Sequence, residues 1–208
     1  MHRRLAAARR ISTCLLACLL ALAASGAAAT EPTEQLRASI DRVIAVLEDP
    51  KLKPASRADE RRATVRKIAD DIFDFDEIAQ RSLGRHWRTL TDEQRRDFVH
   101  LFSDLIERSY MSKIELYSGE PIQYTGERVE GTLATVRTRL ITKSGAEVPI
   151  DYRMLERGGR WLVFDVSVEG VSLVANYRAQ FSAIIQTASY AELVTKMRAR
   201  VAELRAPR

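Results

Sequence analysis

The residues that could do chemistry in this 208-residue chain are few and scattered. Ser172 stands in Gly170-Val171-Ser172-Leu173-Val174. A serine nucleophile needs a base and an orienting acid. Its usual setting, G-x-S-x-G, requires a glycine where this chain has Val174. His86 and His100 lie in no H-E-x-x-H or comparable ligand spacing. His100, between Val99 and Leu101, reads as a structural helix residue; His86, after Gly84-Arg85, reads as a surface one. Asp70, Asp71, Asp74, Asp76 and Glu77 could supply the paired carboxylates of glycoside hydrolysis, provided that two of them flank a cleft. They fall instead at helix ends and starts, where acids act as caps. The glycines form no phosphate-cradling loop. No catalytic residue, metal ligand or cofactor is expected.

The elements that would position such residues begin after a leader. MHRRLAAARR carries Arg3, Arg4, Arg9 and Arg10, an apolar run follows, and Ala27 and Ala29 end it. That is a charged n-region, an h-region and an A-x-A site, with cleavage expected after Ala29 or after Ala27. The alternative is an uncleaved anchor, since Ile11 to Ala29 comes close to the roughly 20 residues that span a bilayer. A lipobox reading at Cys18 is disfavoured by Leu16 and by the position of Cys18 inside the apolar run. Residues 30–208 then form one domain, large enough to bury its own core. Cleavage removes Cys14 and Cys18, the only cysteines, so the exported chain has no disulfide, thiol nucleophile or thiolate metal site. It also removes four arginines and no acid, which brings the formal charge from +5 to near balance. Nucleic-acid affinity rests on neutralising many phosphates, so none is expected.

The mature body reads as helices, then strands, then helices. Leu36, Ile40, Val43, Ile44 and Leu47 recur at helical spacing before Pro50. Ser56 with Asp59, Asp74 with Glu77, and Thr91 with Gln94 have capping-box spacing ahead of three further helices. The last of these has a broad apolar face, including Phe98, Leu101, Phe102, Leu105 and Ile106. The ADERRATVRK run is a solvated helix face or a docking surface for an acidic partner.

From Pro121 the period changes to two. PIQYTGERV, TLATVRTRLI, EVPIDYRML and RWLVFDVSV are joined by short turns, two of them glycine-containing and two residues long. Alternation puts Val136 and Thr138 on one face, Ile150 and Tyr152 on another strand's equivalent, and Leu162, Phe164, Val166 and Val168 together on the fourth. The fold class is α+β: a helical part packed on a curved antiparallel meander whose apolar face needs cover. Gly170 then turns the chain into a helix with Val171, Val174, Tyr177, Phe181 and Ile184 on one side, and Ser189 with Glu192 opens the last. Periodicity alone allows these apolar residues to be ordinary core or the walls of a cavity.

Several stretches resemble the MlaC family of periplasmic phospholipid-binding proteins, also described as toluene-tolerance auxiliary proteins. They are LGRHWRTLTDEQRRDFVHLFSDLIERSY, VPIDYRM and RWLVFDVSVEGVSLVANYRAQF. The resemblance is carried by Leu83-Gly84 with Trp87, Gln94 with Phe98 and Phe102, Asp151-Tyr152-Arg153, Trp161 with Asp165, and the block from Gly170 to Phe181. His86 departs from it, in a place where the family usually has an aromatic residue.

The resemblance implies an NTF2-like sheet with a helical subdomain and an apolar pocket between them that holds acyl chains. It implies a periplasmic carrier that catalyses nothing, shuttles phospholipid between membranes and maintains outer-membrane asymmetry. Its partners would be an inner-membrane ABC-type lipid transport complex and an outer-membrane lipoprotein-porin complex. The expected pocket residues are Leu101, Phe102 and Leu105 on the long helix; Val136, Ile150, Tyr152, Phe164 and Val166 on the strands; and Leu173, Val174, Tyr177 and Phe181 on the helix after Gly170. In this expectation the segment Val171 to Phe181 places a helix against the sheet face and forms part of the pocket wall. Arg153 and Arg178 would approach a phosphate or pair with acids. A hopanoid-associated branch of the family, a non-lipid envelope adaptor, and a cavity enzyme using Asp151 or Asp165 are the alternatives.

Overall fold

The computed structural model describes residues 31–205; the expected leader, its cleavage positions and both cysteines lie outside them. The chain forms α1 (Pro32–Glu48), α2 (Ala58–Ile72), α3 (Phe75–Leu83) and α4 (Asp92–Ile114). An antiparallel meander comes next: β1 (Ile122–Glu130), β2 (Leu133–Ile141), β3 (Glu147–Arg157), β4 (Arg160–Val168) and the short β5 (Val171–Ser172). Then α5 (Leu173–Thr187) and α6 (Tyr190–Arg205) close the chain.

Most of the local start signals act as the sequence suggests. Thr91 and Gln94 satisfy each other's backbone N–H at the start of α4. Asp74 accepts from the Glu77 N–H at 2.9 Å and starts α3. Ser189 accepts from the Glu192 N–H at 3.1 Å. The Ser56 cap is not made: Ser56 lies inside a 3-10 turn, Ala55–Arg57, and α2 begins at Ala58 without a side-chain cap. Arg57, with φ of -108° and ψ of 9°, stands at the N-cap position of α2 in place of Ser56.

Two corrections concern β4 and the residues after it. Arg153 opposes Asp165 while Met154 opposes Val163, so Phe164 is an extra, unpaired residue. A bulge of this kind reverses the alternation beyond it. Phe164 therefore joins the helical core, while Val166 joins Tyr152 and Trp161 on the other face. The expected set Leu162, Phe164, Val166 and Val168 does not share a face. Helix α5 also starts at Leu173, because Val171 and Ser172 pair back with Val168 and Ser167. The reversal is made by Glu169 and Gly170, with φ of 51° and 80°. Glycine takes such a φ freely, and a glutamate there is uncommon.

The core is thus split. One cluster, among α3, α4, α5 and α6, holds Phe98, Phe102, Leu105, Phe164, Val174 and Phe181. Its rings interlock: Phe102 lies 4.9 Å from Tyr177 and 5.1 Å from Phe181, centroid to centroid, both edge to face. That geometry suits ring quadrupoles and adds to area burial. The other cluster lies between the opposite sheet face and α1 and α2, and holds Leu36, Ile72, Ala134, Val136, Met154, Trp161 and Val163.

Buried Asp165 fixes the corner between the clusters. Its carboxylate accepts from the Ser172 hydroxyl at 2.6 Å and the Val174 N–H at 3.0 Å, and the Ser172 Oγ accepts from the Ala175 N–H. Together they satisfy the start of α5.

Helix α1 is pinned at its N-terminal half. Glu127 of β1 accepts from the Thr33 N–H and hydroxyl. The Gln35 amide donates to the Trp161 carbonyl and accepts from its N–H, as a neighbouring strand would. The buried residues of α1, Pro32, Leu36 and Ser39, all lie in this half. Val43, Ile44 and Leu47 in the second half remain half-buried.

Candidate functional site

The sheet face under α1 and α2 is ordered in rows across the strands, since directly paired residues share a face. Ala134, Met154 and Val163 form the first row. All are buried, and Met154 and Val163 are completely so. Val136, Tyr152 and Val166 form the second; Val136 is sealed and the other two are half-buried. Tyr124, Thr138, Ile150 and Val168 form the third, where Val168 is 41% exposed. The face is therefore closed at one end and opens along β3 and β4 toward the other.

The helices explain that gradient. Helix α1 packs on β1 and β2, and α2 packs on β4, so the two straddle β3. The pinned half of α1 meets Trp161 and Glu127 and reaches Tyr124 through Arg37, while its second half is held by none of these bonds. The partly covered strip of sheet face between α1 and α2, here termed the trough, carries Tyr152.

Two phenols sit in this trough. Burial pushes the Tyr124 phenol up to about 12, with Arg37 pulling the other way. Burial, then the neighbouring Tyr124, pushes Tyr152 higher still. Tyr152 is strongly desolvated and yet keeps accessible surface. Both phenols are neutral hydrogen-bonding groups at neutral pH.

Of the twelve residues expected to line a pocket, Val136, Ile150, Tyr152 and Val166 come together here. Phe102, Leu105, Phe164, Val174 and Phe181 belong to the helical cluster, with Leu101, Leu173 and Tyr177 packed against it. Helix α5 does pack on the sheet, at β4, but on the side of Phe164 and away from the face that carries Tyr152. The bulge at Phe164 and the cap at Asp165 place α5 on the other cluster. The expected lining in turn lacks α1 and Tyr124, which the structure places at the trough. Their signals are present in the sequence: the stripe Leu36, Ile40, Val43, Ile44, Leu47 and the alternation of Ile122 with Tyr124.

The charged residues are engaged in holding the fold. Asp151 pairs across the strands with Arg137 and Ser167, on the face away from Tyr152. Asp165 is occupied as described, with Arg153 3.7 Å away. Arg178 donates to the Arg81 carbonyl at 2.7 Å instead of pairing with an acid. Asp70, Asp71 and Glu77 meet Arg66, Arg42 and Arg81. His100 is exposed rather than structural, and the Nε2 of His86 is buried without a partner among the described residues. Among the described residues no group of three or more His, Cys, Asp or Glu could hold a metal, and no helix is long and apolar enough to cross a membrane.

The profile of the MlaC protein family matches residues 37–199, most of the chain. The chain belongs to the MlaC family. The match takes in the trough and the helical cluster together. Among curated relatives, the chain is 24% identical over 175 residues to the intermembrane phospholipid transport system binding protein MlaC of Haemophilus influenzae, covering 82% of each. It is 24% identical over 174 residues to the toluene tolerance protein ttg2D of Pseudomonas putida, covering 83% of this chain and 81% of that one. Among solved structures it is similar to a phospholipid-binding protein from Ralstonia solanacearum, determined in complex with a phospholipid. The TM-score is 0.75 at 24% identity, over 85% of this chain and 100% of that one. The MlaC fold, helices on a curved antiparallel sheet, is thus shared beyond easily recognised sequence identity.

Proposed function

We propose that this MlaC-family chain is a periplasmic carrier that holds the acyl chains of a phospholipid in the trough between the sheet and α1 and α2. The observation that carries the reading is the exposure gradient across the three rows of that face. A core would be sealed at both ends; this face is sealed in its first row and half-buried or exposed at Tyr124, Ile150 and Val168 in its third, and it is apolar apart from Thr138 and the phenols of Tyr124 and Tyr152. The phospholipid-binding names and complex of its relatives agree with it.

The physics explains why such a carrier is needed. Each methylene exposed to water costs about 0.8 kcal/mol, so about thirty of them cost on the order of 20 kcal/mol. An aqueous space is closed to a free phospholipid, and an apolar trough stands in for the bilayer. The same term opposes release. Lipid would leave where a docked partner favours a state with α1 further from the sheet. The reading places an inner-membrane ABC-type complex on one side and an outer-membrane lipoprotein-porin complex on the other, with membrane asymmetry as the outcome. A hopanoid would fit the same apolar chemistry, and the relatives' names favour phospholipid.

Mass spectrometry of the exported chain, purified without detergent, tests this. One phospholipid per chain is expected, and a folded protein that carries none and takes none from vesicles refutes it. Val166→Trp narrows the half-buried middle row and should reduce retained lipid at least fivefold with the circular dichroism unchanged. Full retention in that variant would move the site elsewhere. Val136 is less informative, because its side chain is already sealed and a larger one there mainly overpacks the core.

A further inference from the structure

Tyr124 carries a hydroxyl that the fold does not use. Its Oη is buried and has no hydrogen-bond partner among the described residues. An unmet buried hydroxyl is destabilising, and phenylalanine would fill the same space without one. The hydroxyl therefore calls for a partner that the chain does not supply.

The surroundings narrow down that partner. Tyr124 lies in the open row of the trough, opposite Thr138. A bulge begins immediately after it, between Tyr124 and Gly126. Thr138 is already committed, donating to the Ile150 carbonyl at 2.9 Å. The Arg37 guanidinium stands 4.0 Å from the centroid of the Tyr124 ring, and its side chain is 44% exposed. Its ion partner Glu34, 3.8 Å away, is mostly exposed, so that pair is weak. Inward from Tyr124 come Val136, Tyr152 and Val166, which pack with the apolar cluster.

Along the face the order is the half-exposed Arg37, with the acids Glu34 and Asp41 near it, then the Tyr124 donor, then mostly apolar surface that carries a second phenol, Tyr152. A diacyl glycerophospholipid has the complementary order: phosphate, ester carbonyls, hydrocarbon. Its acyl chains have no acceptor for a phenol. Its phosphate is matched by a guanidinium and water. The ester carbonyls are the neutral acceptors between the two. We infer that the Tyr124 hydroxyl donates a hydrogen bond to an acyl-ester carbonyl of the bound lipid, making Tyr124 the residue that selects ester-linked chains. The inference rests on the lipid-binding reading above. Burial keeps the phenol protonated, so the donor is present throughout the neutral pH range.

The test is competition between two lipids that differ only in that carbonyl. Lipid-free protein is incubated with vesicles holding equal amounts of a diacyl phosphatidylethanolamine and its dialkyl-ether analogue, and the bound lipid is counted by mass spectrometry. The wild-type chain should prefer the diacyl lipid about fivefold. Tyr124→Phe should take both equally and, lipid-free, should melt no lower than wild type. Equal uptake by the wild type, or a preference that survives in Tyr124→Phe, overturns the inference while leaving the carrier reading intact. Failure of the wild type to take either lipid removes the carrier reading and this inference with it.

Discussion

Single side chains carry the corner on which the architecture turns. Asp165 is buried and satisfies two donors at the start of α5. Asp165→Ala leaves the buried Val174 N–H unmet and removes the partner of Arg153, and should cost about 3 kcal/mol in chemical denaturation. A change under about 0.5 kcal/mol would show that the cap is replaceable. Asp165 is visible in the sequence as part of the family resemblance, but its role is not. Alternation along RWLVFDVSV gives no sign of the extra residue at Phe164, because a bulge is decided by what the neighbouring strand and helices need. Val136, Ile150 and Tyr152 can be picked out because each lies on a regularly alternating strand, whereas Val166 lies beyond the bulge and alternation wrongly groups it with Phe164. The eight other expected residues are equally apolar, and which of two clusters they join depends on contacts far along the chain.

At the scale of elements, the boundaries that can be read are those with local causes. Thr91 with Gln94 and Asp74 with Glu77 are three residues apart and act within one turn. The placement of α1 cannot be read, because its anchors are distant: Gln35 meets Trp161 and Thr33 meets Glu127. Gln35→Ala removes both bonds to the Trp161 backbone and should cost about 2 kcal/mol. Hydrogen exchange should then show the first half of α1 opening as readily as the second; unchanged protection there would mean that Leu36 and Pro32 hold it alone. The seam between α2 and α4 is ionic. Arg61 and Arg62 both meet Glu115, at 2.7 and 3.0 Å, and Arg66 meets Glu107. Burial alone would raise the Glu115 carboxyl, and the Arg62 and Arg61 guanidiniums more than reverse this, holding it below its ordinary 4.5. A depressed carboxyl contributes stability that is fully present above about 4.5 and lost as pH falls through the lower folded value. Glu115→Gln should therefore flatten the loss of stability below about pH 4.5, as followed by denaturant midpoints; an unchanged slope would assign that loss to other carboxylates, such as Asp104, which Arg108 and Arg205 hold down against its burial.

For the whole molecule, an unevenly closed apolar face ties stability to occupancy. A ligand that binds only the folded state raises its stability by mass action. On the proposed lipid-binding reading, stripping the lipid should lower the melting temperature by about 5 °C or more, and returning diacyl phospholipid from vesicles should restore it. A lipid-free protein that melts at the same temperature would mean that the trough closes on itself. An unfilled apolar face also has a second hazard. Open sheets invite other chains to add as further strands. Here the outer edge of β4 is taken up by the chain itself: Gln35 at Trp161, Phe73 and Asp74 at Val163, and β5 at Ser167 and Val168. The β1 edge carries a bulge and the charges Glu127, Arg128 and Glu130. Crowded, lipid-free copies should consequently clump through greasy faces into amorphous, detergent-reversible particles, and should not seed fibrils.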